Sequence, residues 1–398
     1  MTPVYLYFDL HLGLPEYILL GIALAGVIYV WLYCYLRLRP IRRARIEARH
    51  RPEPAPEAFP SVSVIVYSRD EAENLARMLP ALLTQDYPAP YEVIVVNEGE
   101  NSAVADVVAA MRGSARNIYL TYSPDGVRNL SRKKLSITLG IKAARNEVIA
   151  LTTAVAEIKS DLWLKSLMHS FAAEPSTEVV LGTAYIAPSE DKARGARRRA
   201  FDTASDTARW LSAALAGHPF RGTEHNLAYR RDLFFRNKGF ARHLNLHSGD
   251  DDIFISEVAD KANTAVELSA KSMVRLRHGN HPRVFATRTA RRILSERFIR
   301  RRPRFLFLMA GWAQIVITVC AVVAAVIGLP NLLSLAAALA IISILWCIDI
   351  MAWRRTMVAL RARRLRILIP YLWATLPLRH MVRCVRARIG KKKIYTWE

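Results

Sequence analysis

The chain has 398 residues, 52% of them hydrophobic, and carries 57 lysines and arginines against 34 aspartates and glutamates, a formal net charge of +23. The apolar residues gather in long uncharged runs near both ends, which excludes a wholly soluble protein. The basic residues concentrate in three blocks beside those runs, 37–51, 288–304 and 354–398, so the charge indicates membrane topology rather than a nucleic-acid-binding surface.

The first element in chain order is an uncharged run at residues 17–36, which predicts a transmembrane helix. At about 1.5 Å per residue, such a helix matches a hydrocarbon core about 30 Å thick. A cleaved signal peptide is disfavoured, because no Lys or Arg precedes the run and no small-residue cleavage pattern follows it. Residues 1–16 are then an extracytoplasmic N-terminus, and the basic, proline-rich stretch 37–60 is predicted to be a linker, stiff near its end.

Residues 61–304 are predicted to form a cytoplasmic α/β domain with a mainly parallel sheet. Short β-branched runs alternate there with helical periods. The predicted strands are 62–67, 92–96, 118–121 and 147–151, and the predicted helices are 71–85, 104–111 and 133–144. Ligands of such sheets bind beyond the carboxyl ends of the strands. All four cysteines lie outside this domain, which excludes a disulfide framework or a Cys-ligated zinc site within it.

Two more transmembrane helices are predicted at 305–328 and 332–353, joined by a turn at Pro330. Asp349 precedes Arg354 by about one turn, so we expect it at the membrane interface rather than as a buried functional carboxylate. The basic tail 354–398 contains a segment, 367–378, that is too short to span and is predicted to lie in the interface. The positive-inside rule places the middle domain and the tail in the cytoplasm.

The tail also ends in Lys391, Lys392 and Lys393 near Tyr395 and Trp397, a pattern that could stack on and neutralise a nucleic acid. Anionic lipid headgroups are nearer to a juxtamembrane cluster and suit it better. We therefore expect the membrane, and no nucleic acid, as a partner.

Several stretches of a recognisable kind occur in order between residues 60 and 270. They are VSVIV (62–66) before DEAENL (70–75), QDYP (85–88), SRKK (131–134) with LGIKAA (139–144), AGHPFRG (216–222) with NLAYR (226–230), and SGDDD (248–252). These stretches resemble the family 2 glycosyltransferases of the GT-A fold, particularly the membrane-attached bacterial kind. The resemblance implies an inverting transfer of a sugar from a nucleotide-sugar donor to a glycan or lipid-linked acceptor, at the cytoplasmic side of the bacterial inner membrane.

The resemblance also places the family's catalytic aspartate among Asp250, Asp251 and Asp252. One register of the motif selects Asp250 and another selects Asp251, so both remain candidates for the base that takes the acceptor proton. Adjacent carboxylates raise one another's pKa, which suits a base that works near neutral pH. Capping of a helix at 253–258 explains the same residues without any catalysis.

For the donor, the resemblance implies that Asp70, Glu71 and Glu98 meet the nucleoside. An ordinary strand-end turn through Gly99 accounts for Glu98 equally well. On the acceptor side, the resemblance implies contacts from three further residues: Asn226, Tyr229 and Arg230.

The family's metal motif, Asp-x-Asp, is where this sequence departs from its relatives. The motif holds Mg²⁺ or Mn²⁺ across the donor phosphates, but Thr153 and Val155 stand in its two positions here. Valine offers no oxygen ligand for a hard divalent cation. Glu157 could reach in from two residues later, or could be a surface glutamate. We expect an altered metal site.

Nearby basic residues are predicted to neutralise the donor diphosphate instead, since arginine can bridge phosphate oxygens. These are Arg128, Arg132, Lys133 and Lys134. A solvated helix start explains the last three of them without a ligand.

The same departures motivate an alternative function, that of a non-catalytic GT-A-like membrane protein that binds a partner enzyme or a glycan intermediate. The retained cluster of three aspartates favours an enzyme, because an abandoned site has no need of it. Since three spans are few for a translocating polymerase, we expect assembly of a short lipid-linked or cell-envelope glycan.

Overall fold

The computed structural model describes residues 8–9, 11–99, 101–113, 117–124, 130–186, 195–246, 249–277, 281–299, 304–362, 365 and 367–389, which form an α/β domain and a bundle of long helices. The strands are β1 (Val62–Ser68), β2 (Tyr91–Glu98), β3 (Ile118–Ser123), β4 (Val148–Thr153), β5 (Ala156–Glu157), β6 (Val179–Leu181), β7 (Ala184–Tyr185), β8 (Leu227–Arg230), β9 (Thr264–Val266) and β10 (Val274–Leu276).

The helices begin with α1 (Leu14–Tyr33) and α2 (Arg39–His50), which a π-helical turn at Cys34–Leu38 joins into one rod. Those of the α/β domain are α3 (Ala72–Leu83), α4 (Ser102–Arg112), α5 (Arg132–Ala143), α6 (Trp163–Ala173), α7 (Ala196–Leu215), α8 (Arg231–Arg236), α9 (Ile253–Val258) and α10 (Pro282–Ser295). The last four are α11 (Arg304–Ile327), α12 (Leu332–Ala359), α13 (Leu368–Ala374) and α14 (Leu376–Ile389).

The main sheet has seven strands in the order β3-β2-β1-β4-β8-β6-β9. The first four are mutually parallel, with Val62 opposite both Tyr91 and Val148, whereas β8 runs antiparallel to its neighbours β4 and β6. Strand order reverses between β1 and β4, which is where a doubly wound sheet opens a crevice at the carboxyl ends of its strands. The predicted α/β fold with a mainly parallel sheet is confirmed.

Hydrophobic layers cover both faces of this sheet, which explains the nearly continuous apolar sequence of its central strands. On one face, Leu79 of α3 and Trp163 of α6 are fully buried against β1 and β4. On the other face, α5, α7 and α9 form a layer that continues without a break into the long helices. Phe201 of α7 lies with its ring 5.1 Å from that of Trp353 in α12. The domain is therefore packed directly onto the helical bundle.

Three helical stretches are long and apolar enough to cross a membrane: Leu14–His50, Met309–Ile327 and Leu332–Ala359. They coincide with the runs predicted to span. The topology and the domain boundaries derived from the sequence stay predictions. Asp349 lies inside the bundle, fully buried, and accepts a hydrogen bond from Gln314 Nε2 at 3.0 Å. Asp349 was expected at the membrane interface, but it is buried between α11 and α12, where Gln314 supplies a polar partner.

Two segments expected to be linker and interface are helices packed on the bundle. The basic stretch after residue 36 continues as helix to His50, since Arg, Ala and Glu favour helix and Ile41 is buried on one side. Within 367–378, Trp373 is buried with its ring 4.8 Å from that of Trp353, while Tyr371 is 65% exposed. The segment thus has one buried and one exposed side, and its location in the membrane interface stays a prediction.

Candidate active site

The carboxyl ends of β1 and β4 border a cavity of about 580 Å³, here called the main cavity. One wall carries carboxylates from the loops and helix starts at this edge of the sheet: Glu71, Glu224, Asp250, Asp251 and Asp252. The opposite wall is α10, which contributes four arginines: Arg283, Arg288, Arg291 and Arg292. Lys133, Val155 and His225 also line the cavity. The main cavity therefore lies at the carboxyl ends of the strands, where the sequence predicts ligand binding.

The three aspartates precede α9 and have three different environments. Asp252 caps the helix, because its Oδ1 accepts from the backbone N–H of Ile253 at 2.8 Å and its Oδ2 accepts from the Ser295 hydroxyl. Asp250 is buried and pairs with Lys133, whose Nζ lies 2.6 Å from Oδ2. Asp251 is the one partly exposed member, and its Oδ2 accepts from the backbone N–H of Glu224 at 3.3 Å. The capping explanation therefore holds for Asp252.

The pKa values of two of these aspartates move in opposite directions. Burial, together with the neighbouring charges of Asp250 and Asp252, raises the pKa of Asp251 to about 7. Burial also acts to raise the pKa of Asp250, but Lys133 and Lys134 outweigh it and hold that pKa below its usual range. A carboxylate that titrates near neutral pH and reaches the cavity can accept a proton from a bound hydroxyl. Within the aspartate cluster, these two properties occur together at Asp251.

The three residues expected near the nucleoside lie around the ends of β1 and β2. Glu71 lines the main cavity, and burial, with the charge of Asp70, raises its pKa to about 7. Asp70 is exposed and accepts from Asn101 Nδ2 at 3.0 Å. Glu98 is buried, accepts from the Tyr67 hydroxyl, and lies 3.6 Å from Arg69 Nε. The structure therefore brings all three to one edge of the sheet, with Glu71 directly at the cavity.

Lys133 and Lys134 point in different directions at the start of α5. Lys133 Nζ pairs with Glu224 as well as Asp250, so its ammonium lies between two carboxylates of the cavity wall. Lys134 is fully buried and donates from Nζ to the backbone carbonyl of His243 at 2.7 Å, away from the cavity. Burial lowers the pKa of Lys134 to about 8.

Of the other two basic residues predicted to neutralise the diphosphate, the described structure includes Arg132 alone. Arg132 is half-buried at the first position of α5 and is absent from the cavity lining. Arg128 lies outside the described residues, as does Ser248 of the aspartate motif. Among the three described members of the predicted cluster, Lys133 alone lines the cavity.

The residues at the metal motif do not fit a divalent cation. The Thr153 hydroxyl lies 2.7 Å from His225 Nδ1, and Val155 presents only carbon atoms to the cavity. Glu157 is surrounded by cations, with Lys159, Arg275 and Arg277 at 3.4–3.5 Å. Within the described part of the chain, no three His, Cys, Asp or Glu side chains converge as a metal site requires. Glu157 therefore belongs to an ion-pair cluster.

The three residues assigned to the acceptor side lie outside the lining of the main cavity. Asn226 is fully buried, donates from Nδ2 to the carbonyls of Thr183 and Ser272, and accepts from Trp163 Nε1. Tyr229 is buried among aromatic rings, such as that of Phe254. Arg230 pairs with Glu147 at the far end of β8. Their acceptor role stays a prediction, which the cavity lining does not support.

Sequence reasoning missed two contributors to the main cavity. His225 is neutral, because burial and then Lys133 lower its pKa well below the usual value. The arginines of α10 were part of a block attributed to membrane topology. Their spacing carried a signal, since positions 288, 291 and 292 are three and four residues apart and so share one face of a helix.

Comparison with known proteins supports the family resemblance. Residues 62–236 match the family model described as glycosyl transferase family 2. The solved structure of the mannosyltransferase PcManGT from Pyrobaculum calidifontis, in complex with GDP-Man and Mn²⁺, is similar with a TM-score of 0.57. It is 19% identical, and the alignment covers 95% of this chain and 100% of that chain. At this identity the likeness establishes a common fold.

Two further solved structures are similar at lower scores. S. aureus TarS is 15% identical over 63% of this chain and 42% of its own, with a TM-score of 0.41. Glucosyl-3-phosphoglycerate synthase from Mycobacterium tuberculosis, solved with Mn²⁺, UDP-Glc and phosphoglyceric acid, is 14% identical over 59% of this chain and 81% of its own, with a TM-score of 0.39. No curated protein sequence matches the chain. The family match and the fold together establish a glycosyltransferase family 2 domain of the GT-A fold at residues 62–236.

Proposed function

We propose that this protein is a membrane-bound glycosyltransferase that transfers a sugar from a nucleotide-sugar donor to a lipid-linked or cell-envelope glycan acceptor, with inversion. The observation that carries the proposal is Asp251, a cavity-lining carboxylate with a pKa of about 7 beside two aspartates with other tasks. Carboxylates that line a cavity and have a raised pKa are concentrated at catalytic sites. The site therefore favours an enzyme over a binding module.

The chemistry is a single displacement at the anomeric carbon. The acceptor oxygen forms a bond to that carbon as the bond from the carbon to the donor's phosphate oxygen breaks. The leaving nucleoside diphosphate keeps the electron pair, and Asp251 takes the proton of the acceptor hydroxyl. Because one nucleophile attacks opposite one leaving group, the configuration inverts. Neighbouring Asp252 fixes the loop by capping α9, which positions the base.

A second cavity, of about 390 Å³, supports a lipid-linked acceptor. It lies between the π-helical turn and α12 and is lined by apolar side chains such as Trp31, Leu38 and Met351. Its remaining lining includes Arg39, Arg42 and Arg355, which form no ion pair with any described residue. An apolar groove that ends in unpaired guanidinium groups suits a lipid tail with a phosphate head.

The test is transfer of label from radiolabelled UDP- and GDP-sugars into the lipid fraction by the purified full-length chain, supplied with bacterial membrane lipids. We expect one donor to label lipid with wild type and Asp232→Asn, a control at an exposed carboxylate of α8, and not with Asp251→Asn. Donor binding without any transfer would instead favour the non-catalytic alternative.

A further inference from the structure

The donor's diphosphate needs positive charge when it binds and more when it leaves, because the leaving group gains a negative charge as the bond breaks. In this chain the metal motif holds no cation that could supply this charge, since Thr153 and Val155 replace its carboxylates. Lys133 carries the nearest ammonium, but Glu224 and Asp250 already compensate it. The positive charge for the diphosphate must therefore come from another wall of the cavity.

That wall is α10. Arg283, Arg288 and Arg291 line the main cavity and form no ion pair with any described residue. Arg288 is half-buried, and its Nη2 donates a hydrogen bond to the Thr203 hydroxyl at 3.1 Å. Three arginine side chains thus line a concave space that carboxylates also line, and none of the three forms an ion pair with a described residue.

The fourth arginine anchors the helix. Arg292 Nη1 lies 2.5 Å from Asp206 Oδ2 on α7, a carboxylate that also pairs with Arg209 at 2.8 Å and Arg221 at 3.3 Å. One turn later, the Ser295 hydroxyl donates to Asp252. These contacts tie α10 to α7 and to the aspartate loop, so the arginines are held at a fixed position across from Asp251.

The charges around Arg288 also favour binding of an anion at this wall. Burial and the neighbouring charge of Arg292 lower the pKa of Arg288 to about 9, and the charge of Asp206 offsets them only in part, so the charged form of Arg288 is incompletely compensated. A bound anion would restore that compensation. A diphosphate is a fitting anion, because a guanidinium donates two parallel hydrogen bonds to phosphate oxygens.

We propose that α10 is the diphosphate-binding element of this enzyme, with Arg288 and Arg291 as phosphate ligands, and that donor binding needs no divalent metal. The proposal rests on the function proposed above and adds to it the residues that hold the leaving group. Both arginines stay protonated throughout the reaction. They donate hydrogen bonds to the phosphate oxygens in the bound donor and stabilise the charge that these oxygens gain as the sugar departs.

The test compares binding of UDP and GDP with binding of uridine and guanosine by calorimetry on the full-length chain, in EDTA and in Mn²⁺. The variants are R288Q/R291Q, the charge-retaining R288K/R291K, and Arg297→Gln as a control one turn beyond α10 and outside the cavity lining. Equal thermal unfolding confirms that each variant folds. Should the double variant not fold, Arg291→Gln alone replaces it, since Arg291 is exposed.

We expect one nucleoside diphosphate to bind wild type equally in EDTA and Mn²⁺, and R288Q/R291Q to weaken it about 10- to 100-fold, as loss of charge-assisted hydrogen bonds does. The nucleoside alone, and Arg297→Gln, should show no change, and R288K/R291K should lose less. Binding that requires Mn²⁺ and ignores α10 would overturn this inference yet leave the proposed transferase standing. Failure of both nucleotides under both conditions would overturn the proposed function itself.

Discussion

The two walls of the main cavity differ in how their charges are compensated. On the carboxylate wall, Asp250 and Glu224 share Lys133, and Asp252 is occupied as a helix cap. On the arginine wall, Arg292 pairs with Asp206, while Arg283, Arg288 and Arg291 line the cavity and form no ion pair with any described residue. The wall whose charges are already satisfied serves structure and proton transfer, and the wall whose charges are unsatisfied is the one that can receive an anion.

Among the substitutions that test the difference between the two walls, Asp251→Asn should have the largest effect on the rate of sugar transfer. It removes the only partly exposed carboxylate of the aspartate cluster, so we expect the rate of sugar transfer to fall about 10²- to 10⁴-fold, the usual contribution of a general base. Initial rates of lipid labelling measure this. Binding of the nucleoside diphosphate should be unchanged, and an equal loss from Asp250→Asn and Asp252→Asn, with all three folded, would contradict the division of tasks.

Removing the cation of the carboxylate wall should mainly affect stability. Lys133→Ala leaves Asp250 buried without its partner, and breaking such a pair costs about 3 kcal/mol of the free energy of unfolding. Chemical denaturation would measure the loss, with Lys142→Ala as control at an exposed position of the same helix. Because the substitution frees two carboxylates, calorimetry should also detect Mn²⁺ binding that wild type lacks. Matching stability for the two variants would show that Lys133 is not structural.

The pH dependence of transfer should report the raised pKa of Asp251. A base must be ionised, so the rate should rise with pH, about tenfold per unit below pH 7, and level off above it. For stability the sign is opposite: the raised pKa means that the folded state holds the proton more tightly than the unfolded state between about pH 4 and 7. Asp251→Asn should therefore stabilise the fold at pH 8 and lose that advantage near pH 4, as thermal unfolding would reveal.

The smallest effect is expected at Tyr229. Its hydroxyl is buried and has no hydrogen-bond partner among the described residues, so Tyr229→Phe should change the free energy of unfolding by no more than about 0.5 kcal/mol. The KM for the acceptor should also stay constant, because the ring lies in the core. A raised KM would restore the acceptor role that the motif implied.

The sequence alone predicted the parts of the site that follow a strand directly. Glu71 and the aspartate cluster lie at the cavity because the crevice of a doubly wound sheet forms at strand ends, and strand ends are readable from apolar runs. It did not foresee that Asn226 and Tyr229 are fully buried, because membership of a motif does not indicate which way a side chain points. It also failed at Lys134, since two successive helical residues face about 100° apart.

Local pattern was therefore enough to determine the fold class, the three apolar helices and the loss of the metal motif, because each depends on residues close together in the chain. The position of the arginines at 283–292 in the wall of the main cavity was decided by tertiary structure. A basic helix before a membrane run has the same sequence whether it faces lipid headgroups or a cavity. Contacts with residues far away in the chain, such as that of Arg292 with Asp206, 86 residues away, and that of Ser295 with Asp252, place this helix beside the aspartate cluster.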